Sequence, residues 1–172
     1  PGEPQIEDFT GIVIHSDMEP TGTFECSNPL INQLQHNIRW GQKGNFLDVP
    51  TDCPQRDERM GWTGDAQAFA ATAAFNYDVA AFFQKWLQDL AADQREDGAV
   101  PHVVPHVLGK TAYASAGWAD AVTIIPWQMY LAYGDPNFLE QQYGSMKGWV
   151  GYMEEHAGED LLWNEGTHFG DW

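Results

Sequence analysis

The sequence predicts an all-α fold of helical hairpins, led in by a short β segment. Apolar residues recur at helical spacing through five separated stretches, clusters of Gly, Pro and Asp punctuate them, and the first 25 residues differ, with short β-branched runs bounded by Gly, Pro and Asp. With 172 residues, among them eight Trp, six Tyr and nine Phe, the chain has the apolar area for a sizeable core.

Gly11-Ile12-Val13-Ile14-His15 and Thr21-Gly22-Thr23-Phe24-Glu25 are short, β-branched and bounded by Gly, Pro and Asp, so they read as strands. Residues 1–25 are therefore expected to end a preceding β domain, and residues 26–172 to be helical. Ser27 or Asn28 can cap a first helix, with Pro29 in its first turn and Leu30, Ile31, Leu34 and Ile38 in one apolar stripe. A long loop follows. A second helix starts near Asp65 and carries Ala66, Phe69, Ala70, Ala73 and Ala74, small residues that suit an inner helix packed between others.

After Asn76-Tyr77-Asp78, the spacing of Val79, Phe82, Phe83, Trp86, Leu87 and Leu90 gives a third helix one buried face, as on an outer layer. Ala99 to Gly117, with Pro101 and Pro105, reads as a loop. Ala119 to Tyr133 is helical with a kink or restart at Pro126, and Gly134-Asp135-Pro136 stops it. A last helix, from about Asn137 to His156, places Phe138, Leu139, Tyr143, Met146, Val150 and Met153 on one side and ends at Gly158. This alternation of inner-like and outer-like helices is what a ring of helical hairpins needs.

The chemistry concentrates between Asp52 and Asp65, where the chain reads D-C-P-Q-R-D-E-R-M-G-W-T-G-D. Arg56 and Arg59, two of only eight Lys and Arg side chains, stand among Asp52, Asp57, Glu58 and Asp65. A D-E-R cluster is often only a solvated turn or an ion-pair network. Met60 and Trp62 interleaved with the charges speak against that, because a sugar pocket wants an apolar ring face beside hydrogen-bonding groups. Glycoside hydrolysis also needs one carboxyl held protonated and further polar groups to grip hydroxyls. Trp62, Asp57 and Asp52 would favour a protonated Glu58, whereas Arg56 and Arg59 would oppose it. The residue types alone do not separate Glu58 from Asp57.

Composition excludes other classes. A net charge of −17 argues against nucleic acid or an anionic membrane face as partner, and no apolar run reaches membrane length. Cys26 and Cys53 fit neither a metal pattern nor a disulfide framework and read as small buried residues. His102 and His106 have a spacing that joins metal ligands on a helix, but Pro101 and Pro105 argue against a helix there, so both read as loop histidines near the pocket rim. No metal or cofactor is expected. Asp120 and Asp171 stand next to tryptophans and divide between substrate contact and loop or cap hydrogen bonding. A chain opening on Pro1 without an initiator Met is expected to be cut from something longer.

Thr51-Asp52-Cys53-Pro54-Gln55-Arg56-Asp57-Glu58-Arg59, with Gly61-Trp62 and Gly64-Asp65 after it, resembles the signature of bacterial α-L-rhamnosidases of glycoside hydrolase family 78. Gly22 to Asn28, Gly117-Trp118-Ala119-Asp120-Ala121 and Phe169-Gly170-Asp171-Trp172 resemble further segments of the same family, so the likeness covers nearly the whole chain. The resemblance implies the N-terminal part of an (α/α)6 barrel that removes terminal α-L-rhamnose with inversion. It implies Glu58 as general acid, Asp52, Arg56 and Asp65 as residues holding the sugar hydroxyls, and Trp62, Trp118 and Trp172 as aromatic residues lining the sugar subsite. The general base is expected to lie beyond this chain, so the remaining domains of the same polypeptide are its expected partner. Two other readings stand beside it: an (α/α)6 enzyme acting on a different terminal sugar, and a non-catalytic sugar-binding module.

Overall fold

A computed structural model describes residues 2–170 of the chain. Five α-helices carry it, in the order expected: α1 Pro29–Asn45, α2 Thr63–Asn76, α3 Ala80–Asp93, α4 Ala121–Tyr133 and α5 Asn137–Ala157. Between α1 and α2, β1 Phe46–Leu47 and β2 Val49–Pro50 form a tight antiparallel hairpin, turned at Asp48 with φ +65. Asp is among the residues that tolerate this left-handed conformation.

Residues 11–15 and 21–25 do not form the expected strands; they run as extended or irregular chain after a single 3-10 turn at Ile6–Asp8. An isolated bridge from Pro20 to Tyr77 and bonds that Thr21 donates from N to Asn76 O at 3.2 Å and from Oγ1 to Phe75 O tie this part to the end of α2. A β-strand exists by its ladder, and here Ile12, Val13 and Ile14 face solvent without a neighbouring strand.

Asn28 is the cap of α1, its Oδ1 accepting from Leu30 N at 3.0 Å ahead of Pro29 in the first turn. Leu30, Ile31 and Leu34 of the predicted stripe stay exposed. What holds α1 is an amide chain: Gln42 Nε2 donates to Ala73 O at 3.2 Å, Asn76 Nδ2 to Gln42 Oε1 at 3.4 Å, and Gln35 Nε2 to Asn76 Oδ1 at 2.8 Å. Buried amides left unpaired would cost about 1–3 kcal/mol each, so this chain fixes α1 against the end of α2.

The helices form two layers. α2 packs most extensively on α4, and α3 packs on α4 and α5 behind them. Ala66, Ala70 and Ala73 are buried on α2, and their small size lets α4 approach closely with Ala121, Val122, Ile125 and Met129. Behind them, Phe83, Trp86, Leu87 and Leu90 of α3 are fully buried, each side chain stabilising by roughly 1.5–3 kcal/mol. Phe46 joins the parts, stacked on Phe82 at 4.5 Å and edge-on to Phe69 and Phe83.

Two helical expectations are refined. Of the two readings at Pro126 the restart falls, because Pro126 lies buried inside one continuous helix capped by Gly134 with φ +68. On α5 the buried residues are Phe138, Gln142 and Trp149, while Tyr143 and Val150 face out. Trp149 is drawn in by stacking on Tyr152 at 5.7 Å and by the bond its indole nitrogen donates to Asp120 Oδ1 at 2.9 Å.

Candidate active site

The segment from Thr51 to Trp62 is a closed loop between the β hairpin and α2. Thr51 donates from N and Oγ1 to Asn45 O at 2.9 and 2.8 Å, and Asp52 N donates to Met60 O at 3.1 Å, which draws the two ends together. At its exit the loop is clamped to the chain following α3. Val104 N donates to Gly61 O at 2.9 Å, and Thr63 donates from N and Oγ1 to His102 O at 2.9 and 3.0 Å. Gly61 is required there, because a Cβ would collide with the carbonyl of Val104.

Within the loop Arg59 has φ +52. The chain reverses there, and Asp57 and Glu58 go different ways. Asp57, with a side chain 102% exposed, pairs outward with Arg59 at 2.9 Å. Glu58, with a side chain 25% exposed, has both oxygens bonded: Oε2 accepts from Arg56 Nε at 2.9 Å and lies 2.7 Å from Arg56 Nη2, while Oε1 accepts from Trp62 Nε1 at 2.9 Å. Asp57 thus turns to solvent, whereas Glu58 turns back toward Trp62.

Asp52, Cys53 and Glu58 bring ligand-type atoms within 4.8 Å of one another. The Cys53 thiol donates to Asp52, and this bond is the first cause of a thiol pKa pushed from 9.0 up to about 11, so Cys53 serves here as a protonated hydrogen-bond donor. Both cysteines are half-buried rather than buried. Asp52 Oδ1 is buried without a hydrogen-bond partner, an open acceptor. Asp65 stands at the first turn of α2, its pKa raised by burial first and then by the charges of Asp52 and Glu58. Asp52 and Asp65 also edge a cavity of about 400 Å³ walled by Gly41, Asn45, Phe46 and Phe69, which Glu58 and Trp62 do not line.

An aromatic wall stands on the other side. Phe169 lies 4.5 Å from the Trp118 ring, 5.8 Å from Trp62 and 4.9 Å from His102. Trp118 lies against the backbone of α2 at Gly64. The residues before it are anchored by Gly117 N donating to Asp120 Oδ2 at 2.9 Å and by Gln67 Nε2 donating to Gly117 O. Both oxygens of Asp120 are therefore occupied, the other by Trp149, and Asp120 is a loop anchor. Asp171 and Trp172 lie outside the described residues.

Of the predicted site residues, the structure gathers Asp52, Arg56, Glu58, Trp62 and Asp65 around one loop, with Trp118 next to them. Sequence reasoning gave Phe169 no role of its own and read His102 as a loop histidine near the pocket rim. His102 packs on Phe169 and is buried: only 6% is exposed, its Nε2 has no partner, and burial lowers its pKa below 6.5. The aromatic residue in Phe169-Gly170 was the available signal for the first, and the spacing of His102 to His106 had already singled out the second.

The fold and the loop together define a helical domain that gathers carboxylates and indoles at one loop. The chain belongs to the bacterial alpha-L-rhamnosidase six-hairpin glycosidase domain family, whose model matches residues 19–172. It is 47% identical over 162 residues to an alpha-L-rhamnosidase of Formosa agariphila, covering 94% of this chain and 17% of that protein. The crystal structure of the Streptomyces avermitilis alpha-L-rhamnosidase complexed with L-rhamnose superposes with a TM-score of 0.86 at 47% identity, over 91% of this chain and 15% of that one. The alpha-L-rhamnosidase of Dictyoglumus thermophilum matches with a TM-score of 0.87 at 43% identity, over 92% and 18%. The chain thus spans about a sixth of the length of the relatives it matches.

Proposed function

We propose that this chain supplies the acid-bearing wall of an active site that removes terminal α-L-rhamnose from rhamnosides with inversion. The observation that carries the reading is the Glu58 carboxylate, bonded between Arg56 and Trp62 and within 4.8 Å of the ligand atoms of Asp52 and Cys53. Glu58 is the general acid: its proton passes to the leaving oxygen as the bond from that oxygen to the anomeric carbon breaks. Arg56 now occupies Oε2. Turning to a sugar hydroxyl, it would free that oxygen to hold the proton. Asp65 and the unpartnered Oδ1 of Asp52 accept hydrogen bonds from sugar hydroxyls.

Trp62 and Trp118 present ring faces to the apolar face of the sugar, and Trp172 is assigned the same role. A second carboxylate, from elsewhere in the polypeptide, takes a proton from the water that attacks the opposite face of the anomeric carbon. In this reading residues 1–25 complete a preceding β domain, and residues 26–172 begin an (α/α)6 barrel that the rest of the polypeptide closes.

The test is a panel of aryl glycosides given to the full-length polypeptide. Cleavage of the α-L-rhamnoside ahead of other sugars is the expected result. Preference for a different sugar, or affinity for rhamnose without turnover, would overturn the reading.

A further inference from the structure

Gly64 is the second residue of α2 and directly precedes Asp65. A Cβ placed on it would lie 2.9 Å from Cδ1, Cε2 and Nε1 of Trp118. These three atoms belong to the five-membered ring of the indole, so that ring lies flat on the bare Cα. Ordinary carbon contacts are about 3.5–4.0 Å, and a methyl group there would overlap the indole. No positive φ requires glycine at this position, and helix propensity alone favours alanine. The glycine thus answers to the neighbouring ring and not to its own backbone.

The indole is held from its other sides as well. Trp118 N donates to Ser115 O at 3.2 Å, Gly117 is pinned by Asp120 and Gln67, and Phe169 covers the ring at 4.5 Å. A side chain at position 64 would push the indole off α2. We propose that Gly64 is a positioning residue of the sugar subsite, its missing side chain setting how deep the Trp118 platform sits and its registry with Asp65 on the same helical turn. This rests on the reading of Trp118 as a sugar platform. It adds a residue that touches no substrate and acts only through that indole.

The experiment is a double-mutant cycle in the full-length enzyme, read as inhibition by free L-rhamnose and as KM and kcat on an aryl rhamnoside. Gly64→Ala should weaken rhamnose inhibition by about tenfold or more, with KM rising more than kcat falls. In the Trp118→Ala background, where the ring is gone, the same substitution should change affinity by less than about twofold. Thermal melts serve as a second reading: any Tm lost in Gly64→Ala should return in the double variant, even where the single variant folds poorly. Additive effects of the two substitutions, or wild-type rhamnose affinity in Gly64→Ala beside impaired Trp118→Ala, would overturn the positioning role and leave the platform standing. Wild-type affinity in Trp118→Ala itself would instead remove the platform and the inference with it.

Discussion

Trp62 Nε1 donates to Glu58 Oε1 at 2.9 Å, a bond from the residue that opens α2 back to the carboxylate in the loop before it. It fixes the orientation of the Glu58 carboxylate, an orientation that Asp57 beside it, turned to solvent, does not share. Backbone bonds from Thr63 to His102 and from Val104 to Gly61 hold that helix start in place, so the carboxylate inherits its position from the clamp between two distant segments.

Trp62→Phe keeps the ring face and deletes the donor. A hydrogen bond to a charged group contributes about 1.5–3 kcal/mol, so kcat/KM of the full-length enzyme should fall by roughly tenfold or more. Steady-state kinetics within twofold of wild type would show the bond to be incidental.

Glu58→Gln should nearly abolish cleavage of natural rhamnosides, whose leaving groups are poor. Aryl substrates with acidic leaving groups should suffer less, because they need less proton donation. Proton NMR during early turnover of the wild-type enzyme should find β-L-rhamnose as first product. Equal loss on both substrate types, or the α-anomer first, would contradict the assigned role.

Asp65 costs stability when it is ionised. Its pKa in the folded protein is raised above 3.8 by burial and by the charges of Asp52 and Glu58, so its favourable contribution is complete below the unfolded value and lost as pH rises through the folded one. Asp65→Asn should therefore raise Tm at pH 7 relative to wild type, leave it unchanged near pH 3, and lower kcat/KM at least tenfold. Melts of the two proteins across this range check the sign.

His102 gives the opposite window. Burial lowers its pKa below 6.5, so in the unfolded chain it takes up a proton that the folded chain refuses as pH falls. Stability should decline from about pH 6.5 downward, levelling once the folded value is passed. His102→Gln should flatten this decline in urea titrations between pH 7.5 and 5, whereas an unchanged slope would place its origin in other groups.

Much of the site was legible because it is local. Arg56, Glu58 and Trp62 lie within one loop and the start of a helix, so residue types at short spacing marked the cluster, while the choice of Glu58 over Asp57 came from the family resemblance. The same holds for the Asn28 cap and for the buried face of α3, where each preference belongs to one turn of helix.

Other features depended on what lies opposite. Spacing on α5 suggested Tyr143 and Val150 for the core, but Trp149 is buried because α4 presents Asp120 to its indole nitrogen. The stripe on α1 is apolar in sequence and open in space, since burial requires a covering surface as well as an apolar one. That Asp57 turns to solvent while Glu58 turns to Trp62 was likewise not readable from two adjacent acids, since it depends on the fold of the loop, which holds Arg59 at φ +52.

The sequence by itself determined the helices, their order, and a loop that gathers charged and aromatic residues. Hydrophobic periodicity and turn residues act over a few positions, and that is the range over which sequence pattern is informative. Only the tertiary structure decided that Phe169 and His102 join the aromatic wall and that Trp118 rests on Gly64. Those contacts come from close packing between segments far apart in the chain, where the shape of one surface selects what fits against it, and no local pattern encodes that shape.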